Sequence, residues 1–175
     1  MNLQRLQGLA LILSAVCLLL GLFVAPAAAF FIVTSTILFI VGIPAIQSAQ
    51  PTGTIGLVGI VLLVLAALIA LGFRLGLVPD SLGSSLAPIS ALAGMLGAVI
   101  IGWLTKQEHV FPAWLGWAFI AQGLLNLIAG LLDFGPSAAI VLAVLQAVVT
   151  FAYGYFIYQE PVKPAIAGKY QTPVR

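Results

Sequence analysis

Residues 6–73 read LQGLALILSAVCLLLGLFVAPAAAFFIVTSTILFIVGIPAIQSAQPTGTIGLVGIVLLVLAALIALGF and carry no charged side chain over 68 positions. A helix crosses the ~30 Å hydrocarbon core of a membrane with about 20 apolar residues, because each residue advances it by about 1.5 Å. The run is therefore long enough for three spanning helices if turns divide it. Pro26 and the segment 48–53, which contains Pro51 and Gly53, supply turn formers at the two required positions.

Three shorter uncharged runs follow, at 81–105, 110–132 and 134–159, with lengths of 25, 23 and 26 residues. Each has the length of one spanning helix. The sequence therefore predicts an all-α integral membrane bundle of six transmembrane helices with short loops, at 1–158, followed by a short basic tail at 159–175. The predicted spans are 6–24, 28–47, 55–74, 87–105, 112–132 and 137–158.

Composition excludes the main alternatives to a membrane protein. Of 175 residues, 63% are hydrophobic and only 6% are charged, whereas soluble domains carry about 25% charge and disordered chains are polar. The net charge of +2, without a basic cluster, indicates no nucleic-acid partner. Cys17 is the only cysteine and His109 the only histidine, so the sequence predicts no metal site, and His109 is interpreted as a solvated loop residue.

The basic residues predict the orientation in the membrane. With six spans both termini lie on one side, and that side collects five of the six basic residues, which are Arg5, Lys106, Lys163, Lys169 and Arg175. Arg74 alone lies on the other side, with Asp80 and Asp133. The positive-inside tendency therefore places both termini in the cytoplasm of a cell-membrane protein.

Two features concern the first two predicted helices. Residues 1–29 resemble a cleavable signal peptide, with a basic start and an Ala-rich end. The apolar run at 6–24 is 19 residues long, longer than a usual signal core, and favours a retained helix.

Pro44 removes one backbone hydrogen bond and predicts a kink near the end of the second helix.

Polar side chains interrupt the last two predicted helices. Gln122 and Asn126 share one face of the fifth helix, and Gln146 and Thr150 lie on the sixth. Counted from the turn between these helices, Gln122 and Gln146 lie at similar depth near mid-membrane. One interpretation is that facing amides hold the two helices together by hydrogen bonds. The other is a pore or substrate site lined by Gln122, Asn126 and Gln146.

The fourth predicted helix has a ridge of small residues with a spacing of four, which are Ser90, Gly94, Ala98 and Gly102. Such ridges let two helix backbones approach closely in lipid. The ridge therefore predicts a helix-packing face, within the chain or against another copy. On this interpretation Gly94→Leu should destabilise the protein and Val99→Leu should have little effect.

A weaker pattern relates the ends of the chain. Leu20-Gly21-Leu22 followed by Pro26 is similar to Ala129-Gly130-Leu131 followed by Pro136. The pattern has two interpretations: a duplication in which the first and last helical hairpins are copies with the same orientation, or convergence of small membrane hairpins on glycine and proline at their turns.

The start of the chain, MNLQRL, and the stretch 41–47, VGIPAIQ, resemble small uncharacterised bacterial membrane proteins with about six spans. The resemblance covers the whole chain, but it is a general one and is not carried by a specific functional motif. It implies a multi-pass membrane location and assigns no functional residues.

The sequence indicates no catalytic residue and no cofactor, because it lacks a carboxylate pair at depth, a phosphate-binding loop and a nucleophile motif. The first hypothesis is thus a non-enzymatic packing or assembly partner, in a homo-oligomer or a larger membrane complex. The alternative is a small transporter or channel for a neutral or apolar solute, lined by the mid-membrane amides. A water-filled cavity reaching Gln122 and Gln146 would favour the alternative, and direct packing of the two amides without a cavity would favour the first.

Overall fold

The computed structural model describes residues 3–49, 53–108, 110–131 and 135–159, and over these ranges the chain is helical, without a strand. The predicted all-α bundle is therefore confirmed. The tail at 160–175, His109 and Asp133 lie outside the described residues. The helices are α1 (Leu3–Phe23), a short 3-10 turn (Ala25–Ala27), α2 (Ala28–Gly42), α3 (Pro44–Ala49), α4 (Gly53–Arg74), α5 (Asp80–Glu108), α6 (Ala113–Leu131) and α7 (Gly135–Gln159).

Five segments are long and apolar enough to cross a membrane, namely α1, α2 with α3, α4, α5 and α7. The apolar part of α6, Ala113–Ala129, is shorter. The full helix has 19 residues and is about 28 Å long at 1.5 Å per residue. Many large apolar side chains are exposed, among them Phe23 and Phe30. This outer surface suits the lipid bilayer, and the chain is a multi-pass membrane protein.

Pro44 divides the second span into α2 and α3, as the sequence predicts. The Ile43 N–H still donates to the Phe39 carbonyl oxygen at 2.9 Å. Pro44 has no N–H to donate one residue later, so the regular ladder is interrupted there. The kink tucks α3 inward, and Ala45, Ile46 and Ala49 become buried.

α5 begins at Asp80, whereas the sequence analysis started the span at 87 and assigned 78–85 to a loop. The Leu82 N–H bonds to the Pro79 carbonyl oxygen at 2.9 Å and closes the first turn. Asp and Ser are favourable at a helix start, so the polar residues of this segment do not exclude a helix. Pro88 lies inside the helix, where it removes a single ladder bond.

The six spans form a ring in the order α7, α1, α2, α4, α5, α6. The pairs α1/α7, α5/α6, α1/α2 and α4/α5 make the most extensive contacts, whereas α6/α7 and α2/α4 contact each other far less. The bundle therefore consists of two three-helix units. We call α7, α1 and α2 the first unit, and α4, α5 and α6 the second unit. The two sparse contacts, α2/α4 and α6/α7, are the seams between them.

The ridge of small residues lies on packed faces inside the chain. Ser90 Oγ donates to the Ala66 carbonyl oxygen of α4 at 3.1 Å. A Cβ added at Gly94 would lie 3.5 Å from Ala66 Cβ, an ordinary contact distance. A Cβ at Gly102 would lie only 2.5 Å from the Gly116 carbonyl oxygen of α6. The tightest part of the ridge is thus at Gly102, and the ridge serves two different neighbours.

Candidate functional site

A cavity of about 280 Å³ lies between the two three-helix units, and all six spans contribute to its wall. It follows α4 from Leu63 to Arg74, a distance of about 16 Å at 1.5 Å per residue. Its polar wall consists of Ser35, Thr36, Arg74, Ser90, Gln122, Asn126 and Gln146. Its apolar wall includes Leu18, Phe39, Leu63, Met95 and Phe119 with several alanines. Convergent polar groups in a mainly apolar pocket are typical of small-molecule sites.

Gln122 is the most unusual residue in this wall. Only 6% of it is exposed, and its Oε1 has no hydrogen-bond partner among the described residues. A buried amide oxygen without a donor is unfavourable by about 1–3 kcal/mol, so native structures rarely leave one unpaired. Its position at the cavity is a reason for the exception, because a water or ligand there can donate to it.

Three of the four residues of the predicted polar cluster meet at the cavity. Gln122 and Asn126 reach it from α6, and Gln146 reaches it from α7. Thr150 is buried one turn further along α7 and is not among the lining residues. Gln122 Oε1 accepts no hydrogen bond from another amide among the described residues, so this oxygen does not link the two helices. The structure thus brings the amides to a common cavity.

Arg74 occupies the end of the cavity where α4 finishes. Its guanidinium donates across the α2/α4 seam to Thr36 Oγ1, and more distantly, at 3.5 Å, to the Ile32 carbonyl oxygen. Thr36 Oγ1 in turn donates to the same Ile32 oxygen at 2.9 Å. Arginine presents five N–H donors in a planar fork, and these two acceptors face only part of that fork.

Buried aromatic and hydroxyl groups close the opposite end. Tyr153 of α7 and Thr105 of α5 share a hydrogen bond of 2.8 Å between their hydroxyl groups, which joins the two units. Tyr153 is 1% exposed and Thr105 is fully buried. The ring of Phe119, which lines the cavity, lies edge-on to Tyr153 with centroids 5.4 Å apart, and Phe111 packs similarly at 5.2 Å. Phe119 therefore separates the cavity from this contact.

Charges are distributed unevenly between the two ends. Arg74 is the one ionisable residue of the cavity wall as the structure describes it. Glu108, the acidic residue whose side chain is described, lies at the far end of α5, on the Tyr153 side. The side chains of Asp80 and Asp133 lie outside what is described. Lys106 packs over the rings of Trp103 and Trp117, at 4.9 and 4.4 Å from their centroids, and so anchors the Tyr153 end.

The sequence analysis missed Arg74, Thr36, Ser35 and Ser90 as cavity residues. Each lies in or at the end of an apolar helix, where a single polar residue is commonly an interfacial anchor or a local backbone bond. Their role becomes visible only through polar contacts between different helices, which the sequence does not show. Ser35 illustrates it, because Ser14 Oγ of α1 donates to its carbonyl oxygen at 2.8 Å.

Among the described residues no group of histidine, cysteine or carboxylate side chains could hold a metal ion. Comparisons with protein-family models, curated proteins and solved structures each give no match for this chain. Function is therefore inferred from the cavity and from the packing around it.

Proposed function

We propose that this protein is a small non-enzymatic transporter, which moves a solute through the cavity between its two three-helix units. The observation that carries the proposal is the cavity lined by Gln122, whose buried Oε1 has no hydrogen-bond partner among the described residues. From the sequence, a water-filled cavity that reaches Gln122 and Gln146 is the sign of a solute pathway rather than of a packing partner, and both residues line this cavity.

The hypothesis of an assembly partner loses its main support at the same time. It was based on the small-residue ridge, which could pack within the chain or against another copy, and on the lack of reactive groups. Ser90 and Gly94 contact α4, while Gly102 is pressed against α6. The ridge is thus occupied by the chain's own helices, and the exposed surface of the bundle is suited to lipid.

The order of the helices supports transport. The first half of the chain supplies α1, α2 and α4, and the second half supplies α5, α6 and α7. If α1, α2 and α4 are matched in order with α5, α6 and α7, the extensive contact α1/α2 corresponds to α5/α6, and α1/α7 corresponds to α4/α5. The seam α2/α4 then corresponds to the seam α6/α7. Each half crosses the membrane three times, so the second half begins on the opposite side of the membrane from the first. The second half is therefore inverted relative to the first. Inverted three-helix repeats with a site at their interface are known from secondary transporters.

This correspondence differs from the one that the sequence favours. There, the first and last hairpins were matched with the same orientation. Packing instead relates α1 to α5 and α2 to α6. Each three-helix unit contains helices from both halves, so a rocking motion of one unit against the other would open the cavity at one end and close it at the other.

The two polar contacts between the units have the placement that gates require. Arg74 and Thr36 join them at one end of the cavity. Tyr153 and Thr105 join them at the other, below Phe119. At the Tyr153 end the hydroxyl bond lies beside apolar ring contacts of Tyr153 with Phe111 and Phe119, so opening that end requires both the bond and these contacts to break.

Cysteine labelling tests the proposal without knowledge of the solute. In a Cys17→Ser background, Asn126→Cys should react with a membrane-impermeant maleimide from the Arg74 side, because a solute pathway admits water and the Tyr153 end is closed. Adding Tyr153→Phe, which removes the hydroxyl but keeps the ring, should raise labelling from the opposite side several-fold.

Leu125→Cys is the matched control. Leu125 neighbours Asn126 and is 44% exposed, but it is not among the residues that line the cavity. It therefore faces lipid, which suppresses the reactive thiolate. It should react at least about tenfold more slowly. If Asn126→Cys is as unreactive as Leu125→Cys from both sides, the cavity is a sealed void and the transporter proposal fails.

The orientation belongs to the same proposal: both termini in the cytoplasm, in the cell membrane of a bacterium. Reporter fusions at residues 50 and 175 should both be cytoplasmic, and a fusion at residue 82 should be external, because the basic residues collect on the side of the termini. An external reporter at residue 175 would contradict six crossings.

A further inference from the structure

We infer that the solute is a small amphipathic organic anion that also carries a hydrogen-bond donor, with its anionic group at Arg74 and its donor at Gln122. The inference rests on the proposed function and narrows it, because the sequence alone suggested a neutral or apolar solute. Three properties of the cavity wall support this assignment: its charge, its unpaired acceptor, and its size and apolar character.

The charge is the guanidinium of Arg74. It lies in the cavity wall, and the acceptors it contacts, Thr36 Oγ1 and the Ile32 carbonyl oxygen, are both neutral. Arg74 is the last residue of α4 and is exposed at the end of the cavity, so a charged solute that enters from that side meets it first. Guanidinium groups bind carboxylates in a planar, bidentate geometry that neutral solutes cannot provide. An organic anion would therefore complete the coordination of Arg74.

The acceptor is Gln122 Oε1. Gln122 lines the same cavity as Arg74, and its Oε1 is buried without a donor among the described residues. A rotation of the side-chain amide toward the cavity would let an O–H or N–H on the solute satisfy this oxygen, whereas a purely apolar solute would leave it unpaired. Sites with a buried polar group reject analogues that lack the matching group. The solute must therefore have a donor as well as its anionic group.

Leu18, Phe39, Leu63 and Phe119 form the apolar part of the wall. A water molecule occupies about 30 Å³, so the cavity of about 280 Å³ holds the volume of roughly nine waters. This volume suits a compact solute of roughly ten non-hydrogen atoms, near the lower end of known ligand pockets. Short hydroxylated carboxylates fit all three properties.

Titration calorimetry on the purified full chain in detergent would compare three probes of similar length: 3-hydroxyhexanoate, hexanoate and hexane-1,3-diol. The first has both groups, the second lacks the donor, and the third lacks the carboxylate. We expect 3-hydroxyhexanoate to bind most tightly, with a loss of about tenfold or more for each missing group, as polar groups left unpaired in a site typically cause.

Variants assign each preference to its residue. Arg74→Gln should abolish the preference for 3-hydroxyhexanoate over the diol, and Gln122→Met should abolish its preference over hexanoate. Arg5→Gln removes an exposed cation at the opposite end of the bundle and should change none of the affinities.

Equal binding of 3-hydroxyhexanoate and the diol, unchanged in Arg74→Gln, would overturn the inference. That result is also expected if a carboxylate of the chain, such as Asp80, already neutralises Arg74. Absence of binding by all three probes would overturn it as well. Neither result touches the proposed function, which the labelling of Asn126→Cys decides separately.

Discussion

Gly102→Ala is expected to destabilise the protein by about 2–3 kcal/mol, the upper part of the range for overpacked sites. The new methyl group would lie 2.5 Å from the Gly116 carbonyl oxygen and 2.7 Å from a side-chain carbon of Ile120. The oxygen belongs to the α6 backbone and cannot rotate away, so α5 and α6 must separate. Thermal unfolding in detergent should show a fall in Tm of roughly 5–10 °C, at about 2–4 °C per kcal/mol for a chain of this size.

Gly94→Ala is the matched control, since it makes the same substitution on the same helix two turns away. Its Cβ would lie 3.5 Å from Ala66 Cβ, an ordinary contact. Alanine is favoured over glycine in a helix by about 1 kcal/mol, so this variant should be neutral or slightly stabilised. Equal effects at the two positions would mean that the close approach of α5 and α6 is not present in the folded protein.

These two glycines also revise the expectation for Gly94→Leu. The sequence analysis treated the four ridge positions alike, because a spacing of four shows only that they share a face. The structure distinguishes them by what lies opposite. Gly102 meets a backbone oxygen, whereas Gly94 lines the cavity. A leucine at Gly94 therefore has space to enter, and it should block the solute site more than it destabilises the fold.

The helices were predictable from the sequence because charged residues are excluded from the hydrocarbon core, so their spacing reports the spans directly. The start of α5 was not, because Pro79, Asp80 and Ser81 are equally suitable for a loop and for a helix N-terminus. Contacts between helices that are far apart in the sequence could not be predicted either. Gly8 and Gly154 bring α1 and α7 together, with a Cβ at Gly154 lying 2.7 Å from the Gly8 carbonyl oxygen, yet nothing local to either residue specifies the other.

The candidate site was predictable in part for a similar reason. Gln122, Asn126 and Gln146 stand out because amides are rare in apolar runs, and the hairpin geometry placed them together. Tyr153 and Thr105 do not stand out, since tyrosine and threonine are ordinary residues of membrane helices. Their hydrogen bond depends on the closure of the ring of helices, which brings α7 to α5. Sequence patterns identify unusual residues, whereas ordinary residues acquire a role only through tertiary contacts.

Gln122→Met is expected to stabilise the solute-free protein by about 1 kcal/mol or more, against the usual direction for a buried substitution. Methionine has nearly the length and volume of glutamine and no group that needs a donor. The variant therefore removes an unpaired buried oxygen, whose cost is about 1–3 kcal/mol, without creating a large void. Tm should rise by roughly 2–6 °C, while binding of a donor-bearing solute weakens.

Gln107→Met provides the control, because it makes the same substitution at an exposed position on α5 and should leave Tm unchanged. Stabilisation together with loss of binding is the pattern of a residue kept for function at the expense of stability. A fall in Tm for Gln122→Met would have the opposite meaning. It would show that the amide oxygen is hydrogen-bonded within the folded bundle, so that Gln122 holds helices together and the transporter proposal loses the observation on which it depends.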